Sequence, residues 1–157
     1  QGAASTILST LMEKISESLG MTRMDFVNAM EESMMVSVDV SHAYNPNYSA
    51  KYDVTNRNII NHGFSIKETS SQSYATDSEA IGIVQQICEK EGIAYQKFAK
   101  HSDSVGGGTL GCISSAVLPV RTVDIGVPLW GMHSSRETMG VKDYEALVAY
   151  LKAYYSL

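Results

Sequence analysis

Short apolar runs of strand length alternate along this chain with segments whose apolar residues recur at helical spacing, and that alternation limits the folds open to it. The runs at 34–38 (Met-Met-Val-Ser-Val), 64–68, 93–98 and 120–125 are predicted strands. Ile7, Leu8, Leu11, Met12, Ile15 and Leu19 form a helical stripe stopped by Gly20, and a second helix is predicted over 24–31. Ile81, Val84, Ile87 and Cys88 share one face of a helix that ends at Gly92, and a further helix over 109–117 is closed by Pro119. Tyr144, Leu147, Val148, Leu151, Tyr154 and Tyr155 mark the last helix. Such a chain is expected to form an α/β fold, a three-layer αβα arrangement around a largely parallel central sheet. Thr76-Asp77-Ser78-Glu79 and Ser134 to Glu137 have the spacing of capping boxes, with Thr76 and Ser134 as the caps.

With 157 residues and 44% apolar content, the chain can bury the core of one domain, and no repeat or linker divides 1–157. The net charge of −5, with no run of Lys or Arg, excludes nucleic acid and anionic membranes as main partners. No apolar run approaches the roughly 20 residues that span a bilayer. Cys88 and Cys112 lie in apolar periodic segments and not in a thiolate metal spacing. They are expected to be buried small residues of a reducing compartment, which places the protein in the cytoplasm.

In parallel sheets ligands gather beyond the carboxyl ends of the strands. Asp39 follows the run 34–38, and a carboxylate there is paired, hydrogen-bonded or metal-bound. Bracing a loop and ligating a metal both remain open for it. His42 follows three residues later. His133, in Gly131-Met132-His133-Ser134-Ser135-Arg136-Glu137, lies in the loop after the fourth predicted strand. It either packs beside a helix cap or ligates a metal with its neighbours orienting it. Glu31-Glu32, at the end of a helix, is expected to be a solvated edge. Gly106-Gly107-Gly108-Thr109 lacks the Lys of a phosphate loop, which argues against nucleotide binding.

Ser37-Val38-Asp39-Val40-Ser41-His42-Ala43-Tyr44-Asn45-Pro46-Asn47-Tyr48 resembles the Ser-x-Asp-x-x-His-Ala-x-His-Pro-Asn-Tyr pattern of the aspartyl aminopeptidase and aminopeptidase I family. Ile66-Lys67, Gln72-Ser73-Tyr74-Ala75-Thr76-Asp77, Arg121 to Gly126 and Met132 to Glu137 resemble further segments of that family, in order and with its spacings. Gln1-Gly2-Ala3 resembles the stretch after the family's catalytic Glu pair.

The resemblance implies the C-terminal segment of a metallopeptidase catalytic domain. The implied enzyme releases N-terminal Asp or Glu from peptides at a cocatalytic site of two zinc ions, with cobalt or manganese as possible substitutes. It implies that Asp39 binds one zinc and His133 the other, while His42, Lys67 and Tyr74 contact the substrate. The general-base Glu and the other ligands are then expected upstream of Gln1, in the N-terminal portion that completes the site, so the fragment alone is expected to be inactive. A large homo-oligomer, a dodecamer in the family, is also implied. Asn45 replaces a family His and Ser73 a family Arg. Two other readings therefore stand: an inactive homologue kept as a binding or assembly domain, and a peptidase for neutral residues.

Overall fold

The computed structural model describes residues 2–103 and 106–157; Gln1 of the opening Gln-Gly-Ala stretch and the Ser104–Val105 part of the 101–108 loop lie outside them. Strand β4 (Arg121–Trp130) forms the middle of the sheet. It runs parallel to β1 (Met34–His42) from Met34↔Arg121 to His42↔Leu129. On its other side it meets β2 (Phe64–Glu68), antiparallel, only at Ser65↔Gly126 and Ile66↔Ile125. β2 pairs in parallel with β3 (Tyr95–Ala99), and the two-residue β5 (Thr138–Met139) returns antiparallel onto the end of β4. The expected parallel pairs are present, joined by one antiparallel seam between β2 and β4.

Helices lie on both faces. α3 (Ser78–Glu91) and α5 (Val141–Tyr154) cover one side, where Val84, Ile87 and Cys88 meet Phe64, Ile66, Val123, Ile125, Leu147 and Tyr150. Each fully buried aliphatic or aromatic side chain of such a cluster contributes roughly 1.5–3 kcal/mol. Strand alternation turns the intervening residues Ser37, Asp39, Ser65, Lys67, Thr122 and Asp124 to the opposite face. The short α4 (Leu110–Ser115) packs on that face against β1 and β4. α1 (Ile7–Ser18) and α2 (Arg23–Glu31) build a smaller cluster in which Leu8 and Met12 meet Phe26, Met30 and Leu118.

Several local expectations are corrected. β1 continues through Asp39 to His42, and β4 continues to Trp130, so Asp39 lies within a strand and does not close one. Gly126 and Pro128 made the end of β4 look like a loop; Pro128 lies beyond the β2 pairing, which stops at Gly126. The α3 cap is Asp77, whose carboxylate accepts from the Ala80 N–H, while the Thr76 hydroxyl instead accepts from the Asp124 N–H. Ser134 to Glu137 is a turn, and α5 starts later, at Val141. The inward face of α5 is Asp143, Leu147 and Tyr150, while Tyr144 and Tyr155 face solvent. Loop amides draw Asp143 inward: its carboxylate accepts from Asn61 N and Gly63 N, both at 2.7 Å, which sets the helix's rotation. Of the α1 stripe, Ile7, Leu11, Ile15 and Leu19 are exposed.

Candidate active site

The polar face of the sheet opens into a cavity of about 430 Å³ lined by the ends of β1, β2 and β3, the glycine loop before α4 and the loop after β4. Asp39, His42, Lys67, Tyr74 and His133 all line it. Residues separated by as many as 94 positions, from Asp39 to His133 (133 minus 39), therefore face one space.

β2 carries Lys67 into the floor. Its side chain is 2% exposed, and the ammonium donates to Asp39 Oδ2 at 3.3 Å and to the Val40 carbonyl at 3.0 Å. The same nitrogen stands 4.9 Å from the centre of the Tyr74 ring. A buried ammonium needs such partners, because desolvation otherwise drives it towards the neutral amine. The Asp39 side chain is half exposed and keeps its other oxygen available to the cavity. Below it, Ser41 and Ser65 hydroxyls bond each other at 2.9 Å, and the Asn58 amide donates to Ser41.

Burial raises the Tyr74 phenol above its ordinary pKa, helped by the charges of Asp124 and Asp39. Tyr74 is therefore a phenol at neutral pH and can donate a hydrogen bond. Desolvation lowers the His42 pKa, and the nearby charges of His133, Lys67 and Lys100 push in the same direction. His42 is thus biased towards the neutral imidazole, which both donates and accepts.

His133 adopts φ +68°, the left-handed region that a residue with a Cβ rarely enters. Its N–H is held by the Glu137 carboxylate, and Ser134 N donates back to the Gly131 carbonyl at 2.8 Å. Glu137 thus braces this turn in place of capping a helix. Strained backbone of this kind costs about 1–3 kcal/mol and clusters at functional sites.

Other expected positions fall away from the cavity. The Asn45 side chain accepts from Asn47 N and caps the 3₁₀ segment Pro46–Lys51, and Glu31 and Glu32 are exposed as expected. Lys51, Lys100 and His101 line the cavity without having been singled out in the sequence. Among the described residues, three lysines face it with one carboxylate, Asp39, so this lining is net cationic. No local pattern marks Lys51 or Lys100; only the fold brings them to the rim.

Carboxylate oxygen and imidazole nitrogen are donors that zinc accepts, so Asp39 and His133 each have the chemistry of a zinc ligand. Two donors are fewer than a closed shell requires, and among the described residues no group of three or more His, Cys, Asp or Glu converges.

A family model for the aminopeptidase I zinc metalloprotease (M18) matches residues 1–155. A probable M18 family aminopeptidase 2 of Clostridium novyi (strain NT) is 43% identical over 157 residues, all of this chain and 36% of the relative. Aspartyl aminopeptidase 1 of Schizosaccharomyces pombe (strain 972) is 36% identical over 99% of this chain and 33% of its own length. Among solved structures, the cryo-EM structure of an Ape4 and Nbr1 complex superposes with TM-score 0.93 at 36% identity, over 99% of this chain and 29% of that one. A Saccharomyces cerevisiae mApe1 dodecamer superposes with TM-score 0.83 at 26% identity, over 99% of this chain and 34% of that one. The α/β sheet with helices on both faces is thus the fold that part of these aminopeptidase structures also adopts. This chain belongs to the M18 aminopeptidase family, and it spans about a third of the length of the relatives it matches.

Proposed function

We propose that this chain is the C-terminal part of the catalytic domain of an aminopeptidase that releases N-terminal Asp or Glu from peptides. The observation that carries the reading is that Asp39, His42, Lys67, Tyr74 and His133 line one cavity. Asp39 and His133 would each hold one of two zinc ions, the remaining ligands and the general-base Glu coming from residues outside this chain. Bound zinc supplies a Lewis acid and an activated water at such sites. Lys67, aided by the other cations of the cavity, attracts the acidic side chain. The Tyr74 phenol and the His42 imidazole hydrogen-bond the substrate carbonyl, which gains negative charge as the peptide bond is attacked.

The dodecameric relative supports assembly of the full-length protein into a homo-oligomer. The cationic lining favours acidic over neutral first residues, and Asn45 caps the 3₁₀ segment Pro46–Lys51 without lining this chain's cavity. The test is hydrolysis of aspartyl, glutamyl and leucyl anilides by the zinc-loaded full-length protein. Turnover of the acidic substrates supports the reading. A preference for the leucyl substrate overturns the specificity, and a folded, zinc-loaded protein with no turnover favours the inactive binding module.

A further inference from the structure

The carboxylate of Asp124 is fully buried on the cavity side of β4, yet it lines no part of the cavity. Its Oδ2 accepts from Ala75 N at 2.7 Å, and its own N–H donates to Thr76 Oγ1 at 2.9 Å. Two bonds therefore tie the segment immediately after Tyr74 to the middle of the sheet. Asp124 is also the register partner of Ser37, two residues before Asp39 on β1. Ser37 Oγ accepts from Gly111 N at 3.0 Å, which seats the first turn of α4 on the same spot. A Cβ at Gly111 would lie 2.7 Å from Asp124 Oδ1 and 2.8 Å from Ser37 Cβ, so α4 approaches this closely only because position 111 is glycine.

Tyr74 itself has no hydrogen bond among the described residues that would hold its ring. Phe98 is 6.5 Å away, centre to centre, and the Lys67 ammonium 4.9 Å. The ring's place over Lys67 depends on the backbone that follows it. A buried carboxylate that spends one oxygen on a loop N–H, and has no partner for the other among the described residues, is costly as a purely structural device. We propose that Asp124 is a positioning residue that holds Tyr74 over Lys67 in the geometry the reaction uses. This rests on the aminopeptidase reading above.

The experiment is a double-mutant cycle in the zinc-loaded full-length enzyme, with Asp124→Ala, Asp124→Asn, Tyr74→Phe and the Ala/Phe double variant. Displacing a reacting group by about 1 Å costs on the order of 10²-fold, so Asp124→Ala is expected to lower kcat by that order while KM changes little. Asp124→Asn recovers much of it, because an amide oxygen still accepts from Ala75 N–H. The double variant is expected to be no slower than Tyr74→Phe alone, since both changes remove one contribution. Hydrogen exchange at the Ala75 amide, slow in the wild type and fast in Asp124→Ala, reads the bond without turnover. Losses that multiply in the double variant, or an unchanged kcat in Asp124→Ala, overturn the positioning role and leave the aminopeptidase reading intact. Should Asp124→Ala fail to fold, Asp124→Leu, which fills the same volume but offers Ala75 N–H no acceptor, completes the cycle with Tyr74→Phe. A wild-type enzyme without aminopeptidase turnover refutes the functional reading, and the positioning role with it.

Discussion

The Lys67 ammonium stands 3.3 Å from Asp39 Oδ2 and donates to the Val40 carbonyl, so the proposed zinc ligand and the proposed acid-binding cation are locked together across two strands. β1 and β2 are not neighbours; β4 lies between them. At Gly126, the register partner of both Asp39 and Ser65, an added Cβ would lie 2.7 Å from the Asp39 carbonyl oxygen, so β1 lies this close to β4 there because the residue is glycine.

Lys67→Met keeps the stem that fills the floor and removes the charge. In the full-length enzyme, aspartyl anilide hydrolysis is expected to fall on the order of 10²-fold, the cost of one oriented donor, with leucyl anilide affected less. Equal losses on both substrates would remove Lys67 from specificity.

His133→Ala is expected to abolish turnover and to lower the zinc content of the full-length protein, measured by elemental analysis after dialysis. A ligand's loss opens the metal's coordination shell. Unchanged zinc content and rate would take His133 out of the site. Glu137→Gln, which weakens the bond to the His133 N–H, is expected to reduce the rate less than His133→Ala does.

Asp143→Ala leaves the buried Gly63 N–H and the part-buried Asn61 N–H without their acceptor. Each orphaned group costs about 1–3 kcal/mol, so denaturant titration is expected to show a loss of roughly 2–6 kcal/mol. Asp143→Asn, which keeps one acceptor, is expected to lose less. A neutral Asp143→Ala would mean that this bond pair does not set the seating of α5.

Cys88 is buried, and that burial pushes its thiol up to about 12, with Glu89 adding to the effect. Because the folded value lies above the ordinary 9.0, the unfolded chain ionises first. Stability from this group is complete below pH 9 and is lost as pH rises from 9 towards 12. At pH 8 iodoacetamide is expected to alkylate the partly exposed Cys112 in the native protein and Cys88 only after denaturation, as read by peptide mass spectrometry. Native labelling of Cys88 would contradict its burial.

Much of the fold was legible because helix and strand periods are local properties. The runs at 34–38 and 64–68 became β1 and β2, and the stripe Ile81, Val84, Ile87 and Cys88 became the buried face of α3. The errors fall where a distant group overrides the local pattern. Asp124 takes Thr76 away from the helix cap, Asn61 and Gly63 pull Asp143 inward and turn α5, and β1 supports β4 through Gly126 and Pro128.

The sequence by itself determined the alternation of strands and helices, the two sheet faces and the order of the M18 segments, since each depends on neighbouring residues along the chain. Only the tertiary structure decided that β2 meets β4 antiparallel, that Lys51, Lys100 and His101 line one cavity with Asp39, and that Asp124 anchors the segment after Tyr74. Those relationships join residues tens of positions apart, and the free energy that selects them comes from burying one shared core, which no local stretch contains.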